Sequence, residues 1–335
     1  MASLFTIHND VRYEIVRKIY EGGMVIVYEA EQYGAQGFVK RVAIKVVRKN
    51  YAKQKSFIEN FIGEAKLVAD LIHTNIAQTY HLGEVNGAYF IAMELIRGVH
   101  LEQFMQKARD KRVILPIDYV VFSVSRVARG LAYAHAKTDK DGKSLGIVHR
   151  DVNLKNIMLA FEGDLKLTDF GVAKARGFLK DSEGEVIAGK AEFMSPEQAN
   201  FQITDKRSDI FSAGIVLAYL ILGRNIFQDE TSAKSRLRVI NLPIPDFRDL
   251  DARVDEELNR ILQRALARDL AQRYPDADEM LYDLEYYIYH SGYGPTNESL
   301  GKFVRSLFEM DSTLPEKKPT GETVFLRPTQ VFEQS

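Results

Sequence analysis

The first 96 residues carry the hydrophobic pattern of β-strands. Within residues 13–47, the segments YEIVRKI and VIVYEAE alternate apolar and polar residues, and FVKRVAIKVV ends in a β-branched run. Alternation with a period of two is typical of strands that bury one face. Residues 87–96, GAYFIAMELI, predict a further pair of strands. Between these segments, apolar residues recur every three or four positions and predict one helix; they are Phe57, Phe61, Ala65, Val68 and Ile72.

From about residue 101 the periodicity becomes that of helices. Residues 118–136 predict a long amphipathic helix, and residues 256–268 and 277–290 predict two more. The apolar run at 210–222 has 13 residues, fewer than the roughly 20 that cross a bilayer, so we expect a buried helix there. A strand-rich lobe followed by a helical lobe predicts an α+β fold with a cleft between the lobes.

The chain changes character after Ser291. Residues 292–311 can form one more helix, whereas the segment that follows is rich in Pro, Thr and charged residues and is expected to be flexible after about residue 312. The predicted division is an N-terminal extension at 1–12, an N-terminal lobe with a hinge at 13–96, a C-terminal lobe at 97–291 and a C-terminal extension at 292–335.

The composition restricts the class of protein. A net charge of −1 argues against a nucleic-acid partner, and the absence of cysteine excludes disulfides and thiolate zinc sites. The amino terminus lacks the apolar core of a signal peptide. We therefore expect a cytoplasmic protein without a membrane segment, or the cytoplasmic part of a larger or membrane-anchored protein. The sequence leaves a homodimer open.

Four short motifs follow one another along the chain. VAIK at 42–45 ends a predicted strand, HRDVNLKN at 149–156 follows the long helix, DFG at 169–171 follows a short predicted strand, and SPE at 195–197 closes the segment that begins at DFG. Each motif alone recurs by chance, but their order and predicted secondary structure agree with one family. Over about residues 13–290 the chain resembles the protein kinases, in particular the bacterial kinases of the eukaryotic Ser/Thr type.

The resemblance implies a bilobal kinase fold, with an antiparallel-sheet N-terminal lobe containing one helix, a mainly helical C-terminal lobe, and ATP bound between them. It implies transfer of the γ-phosphate of ATP to Ser/Thr hydroxyls of protein substrates in signalling, with Mg²⁺ or alternatively Mn²⁺. Lys45 would contact the phosphates and be oriented by Glu64, and Asp151 would act as the catalytic base. Asn156 and Asp169 would bind the metal ion through oxygen atoms.

The resemblance also implies a nucleotide pocket between the lobes. Its residues would lie above and below the adenine ring, at the gatekeeper position, in the hinge, and in the glycine-rich lid over the phosphates. They are Ile19, Gly22, Gly23, Val27, Ala43, Lys45, Met93, Glu94, Ile96 and Met158.

The lid, residues 20–27, departs from the family pattern G-x-G-x-x-G-x-V. Tyr20 and Val25 occupy the positions of the first and third glycines, while the central Gly22 remains. A valine forced to positive φ would cost about 1–2 kcal/mol, or else the loop takes another shape. We expect a weakened lid and a lower nucleotide affinity. The alternative function is a nucleotide-binding pseudokinase or scaffold with impaired or absent phosphotransfer.

Two further departures lie beside the expected catalytic base. Asn153 stands where Ser/Thr kinases usually carry a lysine, and Lys190 stands where they usually carry a threonine. We interpret the two as an exchange of charge between loops, in which Lys190 supplies the cation to the catalytic site. Lys155 is a rival donor, because tyrosine kinases can place an arginine at its position.

The C-terminal extension carries threonines that could be autophosphorylated. They are Thr320, Thr323 and Thr329. A phosphorylated threonine of this kind could be bound by a phosphothreonine-reading partner. An inert linker is the alternative interpretation.

Overall fold

A computed structural model describes most of the chain. The described residues are 5–8, 11–48, 50–85, 87–170 and 191–310. The structure does not describe residues 171–190, which include Lys190, or the region of the three tail threonines.

The N-terminal lobe is built on one six-stranded sheet. Its strands are β1 (Phe5–His8), β2 (Arg12–Glu21), β3 (Val25–Tyr33), β4 (Val39–Val47), β5 (Thr79–Val85) and β6 (Ala88–Glu94). The order is β1-β2-β3-β4-β6-β5, and every neighbouring pair is antiparallel. Tyr13 and Ile15 of β2 and Ile44 of β4 are fully buried, as their alternation with polar residues predicts. The antiparallel-sheet lobe is therefore confirmed.

Two details of this lobe differ from the sequence prediction. Residues 87–96 contain the single strand β6, which pairs with β4 and β5, and not a pair of strands. The one helix, α1 (Lys55–Val68), ends before Ile72, whose side chain is 72% exposed. Apolar periodicity continues into the turn because hydrophobic residues also occur singly on surfaces. β1 lies within the residues assigned to an N-terminal extension, where four residues are too few to give a pattern.

The C-terminal lobe is mainly helical. In chain order its elements are β7 (Gly98–His100), α2 (Leu101–Asp110), α3 (Ile117–His135), β8 (Ile157–Ala160), β9 (Leu165–Leu167), α4 (Pro196–Ala199), α5 (Arg207–Leu222), α6 (Ser232–Asn241), α7 (Glu256–Ala265), α8 (Ala277–Tyr289) and α9 (Asn297–Leu307). The strands form a small antiparallel sheet in the order β7-β8-β9. The apolar helix α5 is buried along nearly its whole length, as predicted. Among the described residues, none of the helices has the length and apolar character needed to span a membrane.

The last helix, α9, is part of the C-terminal lobe. Leu300 and Val304 are fully buried, and the ring of Phe303 packs against Phe104 of α2 and Tyr119 of α3. A guanidinium nitrogen of Arg305 donates to the backbone oxygen of Phe161, at 2.8 Å, in the turn between β8 and β9. The helix predicted within residues 292–311 is therefore present, and it packs against the turn between β8 and β9.

The contact between α9 and this turn is a close approach of two backbones. A Cβ atom at Gly163, which has a φ of +96°, would lie 1.9 Å from the backbone oxygen of Asn297. A Cβ atom at Gly301 would lie 2.5 Å from the backbone oxygen of Glu162. Neither position accommodates a side chain, and Gly163 has a backbone conformation that only glycine adopts readily.

We expect Leu300→Ala to lower the free energy of unfolding by about 2–5 kcal/mol, because it leaves a cavity at a fully buried position. Lys302→Ala is the matched control on the exposed face of α9 and should cost less than about 0.5 kcal/mol. The measurement is urea unfolding followed by circular dichroism. Equal effects of the two substitutions would contradict the packing of α9 on the lobe.

Candidate active site

An ion pair between Lys45 and Asp169 crosses the cleft. The Nζ atom of Lys45, on β4, lies 2.7 Å from Oδ1 of Asp169, which follows β9. The Lys45 side chain is 9% exposed and the Asp169 side chain is 46% exposed, so a nearly buried cation faces a carboxylate that solvent can reach. Asp169 has a φ of +57°, a conformation that costs a non-glycine residue roughly 1–3 kcal/mol and is typical of functional sites.

Asp151 is held by two amide side chains. The Nδ2 atom of Asn156 donates to the Oδ2 atom of Asp151, at 2.8 Å, and to its backbone oxygen, at 2.9 Å. The Nδ2 atom of Asn153 donates to the Oδ1 atom, at 3.1 Å, and to the same backbone oxygen, at 2.8 Å. Both carboxylate oxygens are thus fixed in direction. Because Asn156 uses its nitrogen for these bonds, its amide oxygen is the atom that can face a cation.

The backbone of the catalytic loop, residues 149–156, is held by the carboxylate of Asp209 on α5. Its Oδ2 atom accepts from the backbone N–H of His149, and its Oδ1 atom accepts from that of Arg150, both at 2.7 Å. Burial disfavours the charge of Asp209, but the hydrogen bond and charge of His135, together with the interactions of His149, outweigh it and lower the pKa of Asp209. Asp209 therefore anchors the backbone of this loop to α5.

His149 joins the catalytic loop to the DFG segment. Its Nε2 atom lies 3.0 Å from the backbone oxygen of Thr168, and its ring packs on Phe170 with 4.5 Å between ring centroids. The backbone N–H of Asp151 donates to its Nδ1 atom at 3.3 Å. Burial lowers the pKa of His149, because the neutral ring is favoured away from water.

The SPE segment is attached to the same loop. Arg273 donates to both carboxylate oxygens of Glu197, at 2.8 and 3.2 Å. Burial opposes the charge of Glu197, but the bonds from Arg273 outweigh it and lower the pKa of Glu197. The Nε2 atom of Gln198 donates to the backbone oxygen of Arg150 at 2.9 Å.

The predicted adenine-pocket residues lie on neighbouring strands. In the strand register, Val27 of β3 is opposite Lys45, Ala43 of β4 is opposite Met93 of β6, and Met158 of β8 is opposite His100 of β7. Glu94 is the last residue of β6, and Ile96 lies in the connection to the C-terminal lobe. Ile19 of β2 is 43% exposed beside the lid.

The lid is a short hairpin without backbone strain. β2 ends at Glu21, β3 begins at Val25, and the backbone N–H of Gly22 donates to the backbone oxygen of Val25 at 2.9 Å. Val25 pairs with Val47 as an ordinary strand residue, and neither Tyr20 nor Val25 has a positive φ. The second of the two predicted outcomes is therefore observed: the loop takes another shape. The lowered nucleotide affinity stays a prediction.

Gly22 and Gly23 lie at the tip of this hairpin. A Cβ atom at Gly22 would lie 2.9 Å from the Cε1 atom of Tyr20, so the glycine makes room for the Tyr20 ring. Arg48, just after β4, donates from its backbone N–H to the backbone oxygen of Met24 at 2.9 Å, and its side chain contacts Glu21. These contacts attach the lid to β4.

For three expected site residues, the structure gives no contact that tests the expected role. The Nζ atom of Lys155 lies 3.5 Å from an oxygen of Glu102 on α2, and both side chains are about half exposed. The backbone of Glu64 lies in α1, but its side chain is outside the description. Lys190 lies outside the described residues altogether.

Several residues that shape the site were not found from the sequence. They are Arg48, His135 and Gln198. Gln198 had a usable signal, because Ser195 and Gln198 form a capping box at the start of α4. His135 and Arg48 gave none, since a histidine at a helix end and an arginine after a strand are common on surfaces.

Known proteins are similar to this chain over most of its length. Residues 13–284 match the family described as protein kinase domain. MasK of Myxococcus xanthus, named as a tyrosine-protein kinase, is 34% identical over 296 residues, which are 88% of this chain and 46% of MasK. The serine/threonine-protein kinase PrkC of Bacillus subtilis is 32% identical over 82% of this chain and 40% of PrkC. The chain thus spans less than half the length of these two curated relatives.

A solved structure gives the same comparison in three dimensions. The crystal structure of the PknI kinase domain of Mycobacterium tuberculosis superposes with a TM-score of 0.61 at 26% sequence identity. The match covers 82% of this chain and 95% of that domain. The two-lobed arrangement described above is therefore shared with a solved kinase domain.

We expect the free energy of unfolding to fall as the pH decreases below about 6.5. The unfolded chain binds a proton at His149 near that pH, whereas the folded chain does so only at lower pH, so stability is lost across the interval at up to about 1.4 kcal/mol per pH unit. Burial lowers the pKa of His73 and His100 as well, which adds to the trend. Urea unfolding from about pH 8 to about pH 5 measures it. His149→Gln should give a shallower slope, and an unchanged slope would contradict the assignment.

Proposed function

The chain belongs to the protein kinase family, and from this premise we propose that it transfers the γ-phosphate of ATP to Ser/Thr hydroxyls of protein substrates. Protein kinases use ATP and a divalent metal ion. The observation that carries the proposal is the set of charged groups at one cleft: the Lys45–Asp169 pair at 2.7 Å, and Asp151 oriented by two amides. Nothing among the described residues favours the pseudokinase alternative.

The residues present fit a nucleotide with Mg²⁺. Bound ATP supplies the phosphoryl group, and Mg²⁺ neutralises the charge on its oxygens. Asp169 and the amide oxygen of Asn156 offer the oxygen ligands that this cation prefers, with phosphate and water completing its shell. Lys45 is nearly buried, so its charge is weakly screened and suited to the α- and β-phosphates.

Asp151 would orient the acceptor hydroxyl and accept its proton. Its two oxygens are fixed by Asn153 and Asn156, so the carboxylate can hold one direction without reorganising during the reaction. Asn153 thus fills a positioning role at the place where the family usually has a cation. The cation itself would come from Lys190 or from Lys155.

Tyrosine is a second candidate acceptor. Asn153 replaces the lysine usual in Ser/Thr kinases, and Lys155 stands at a position where tyrosine kinases can carry arginine. MasK bears the name of a tyrosine-protein kinase, while PrkC bears that of a serine/threonine-protein kinase. We favour Ser/Thr.

We further propose a cytoplasmic setting and a regulatory role for the tail. Thr320, Thr323 and Thr329 would be autophosphorylated and then bound by a phosphothreonine-reading partner. A homodimer stays a prediction. The relatives extend well beyond the length matched here, so substrates and partners of the whole protein belong to this proposal.

We expect the purified chain to transfer ³²P from ATP with Mg²⁺ to itself and to a generic basic protein. Asp169→Ala should lower the rate at least about a hundredfold, because the metal ion that neutralises the phosphate charge then loses a ligand. Asp141→Ala, at an exposed carboxylate, is the matched control and should keep the rate. Phosphoamino-acid analysis then separates serine and threonine from tyrosine, and mapping tests the tail. Nucleotide binding without transfer would indicate the pseudokinase.

We expect Lys190→Ala to lower the transfer rate and Asn153→Lys to restore it in that background. The reason is that the second substitution returns a cation to the loop that holds Asp151. Asn153→Lys alone is the control for the loss of the two Asn153 hydrogen bonds. An unchanged rate in Lys190→Ala alone would refute the exchange of charge and leave Lys155 as the donor.

A further inference from the structure

Three backbone segments meet where the two lobes join. The backbone N–H of Ala77 donates to the oxygen of Leu167 on β9, at 2.9 Å, and the N–H of Leu167 donates to the oxygen of Asn75, at 2.8 Å. The backbone N–H of Glu94, at the end of β6, donates to the oxygen of Gln78 at 2.8 Å. Residues 75–78 are therefore bonded to β9 and also to the first residue of the hinge, which we define as residues 94–96.

A side-chain ion pair joins the remaining two of these segments. The Nζ atom of Lys166, on β9, lies 3.0 Å from the Oε1 atom of Glu94, and the side chains are only 15% and 26% exposed. The Oε2 atom of Glu94 accepts from the backbone N–H of Gln78 at 3.2 Å. The glutamate thus contacts both other segments at once and closes a ring made of residues 75–78, the hinge and β9.

The ring connects the two ends of the nucleotide site. The hinge is the segment proposed to contact the adenine, and β9 ends two residues before Asp169, the proposed metal ligand. Backbone bonds attach the hinge and β9 to residues 75–78, and the Nδ2 atom of Asn75 adds a bond to the backbone oxygen of Leu165 on β9, at 2.9 Å. Apart from the Glu94 side chain, the hinge and β9 are thus joined through residues 75–78, about which either could pivot. The Glu94–Lys166 pair restrains this pivot, and its low exposure means that solvent screens it weakly.

We propose that the Glu94–Lys166 ion pair fixes the separation between the adenine-binding hinge and Asp169, and so acts as a positioning pair for ATP. The inference rests on the proposed function, because it takes these two places as the ends of a nucleotide site. Ligands that reach both ends depend on the pair, whereas a ligand that touches only the hinge does not.

The test compares ATP, which spans both ends, with adenosine, which does not. The variants are Lys166→Met, Glu94→Gln, which keeps an acceptor for Gln78, and the double substitution. Lys234→Met is the matched control, because it breaks the exposed pair between Lys234 on α6 and Glu230, which precedes that helix. Affinities for ATP with Mg²⁺ and for adenosine are measured by calorimetry, alongside kcat and KM for ATP.

Each single variant should weaken ATP binding about fivefold, equivalent to roughly 1 kcal/mol, and adenosine binding by less than about twofold. The double variant should bind ATP as tightly as either single variant, because each single substitution already removes the same ion pair. KM should rise with kcat kept within about threefold, the sign of a lost binding interaction. Equal weakening of ATP and adenosine, or additive effects, would overturn the inference.

Hydrogen exchange of the nucleotide-free protein gives a readout that needs no catalysis. The amides of Ala77, Glu94 and Leu167 should exchange faster in Lys166→Met but not in Lys234→Met. Unchanged exchange rates in Lys166→Met would overturn the inference, whatever the activity of this variant. A wild-type chain that binds ATP without transferring phosphate would refute only the proposed function, and one that binds no ATP would overturn both.

Discussion

The geometry of the site depends on one buried carboxylate. Asp209 accepts hydrogen bonds from two consecutive backbone N–H groups of the catalytic loop, and the second of these belongs to Arg150, whose φ is +61°. Such a conformation costs a non-glycine residue roughly 1–3 kcal/mol and persists only where its surroundings impose it. The carboxylate lies on α5, which is buried along nearly its whole length, so the core of the C-terminal lobe holds the backbone that leads into Asp151.

The parts of the site that the sequence predicts are those whose chemistry admits few residue types. The roles proposed for Lys45, Asp151, Asn156 and Asp169 require a cation, a base and two oxygen ligands, and the motifs that carry these residues follow in a fixed order. The two lobes and most helices followed from periodicity. Strand β5 did not, because the alternation that begins in TYHL breaks at Gly83 and Glu84, and the strand is defined by its hairpin pairing with β6.

The lid illustrates what residue type alone leaves undecided. The sequence offered either strain at Val25 or another loop shape, and the choice depends on register. Pairing of Val25 with Val47 keeps the valine extended, and the contacts of Arg48 hold the hairpin tip. The strand register, and the contacts of Arg48 with the hairpin, are defined only when β3 and β4 lie side by side. The lid has fewer glycines than the family pattern, but it forms an ordinary hairpin.

The close approach of Gly163 and α9 has a consequence for the boundary of the catalytic unit. Because neither Gly163 nor Gly301 accommodates a side chain, α9 can occupy only one register on the turn between β8 and β9. The unit thus extends past residue 284, where the family match ends. Glu309, just after α9, pairs with Lys111 at the end of α2. Any sequence that follows residue 310 therefore starts from a fixed point on the lobe, and a force applied to it would act on α2 and on the turn between β8 and β9.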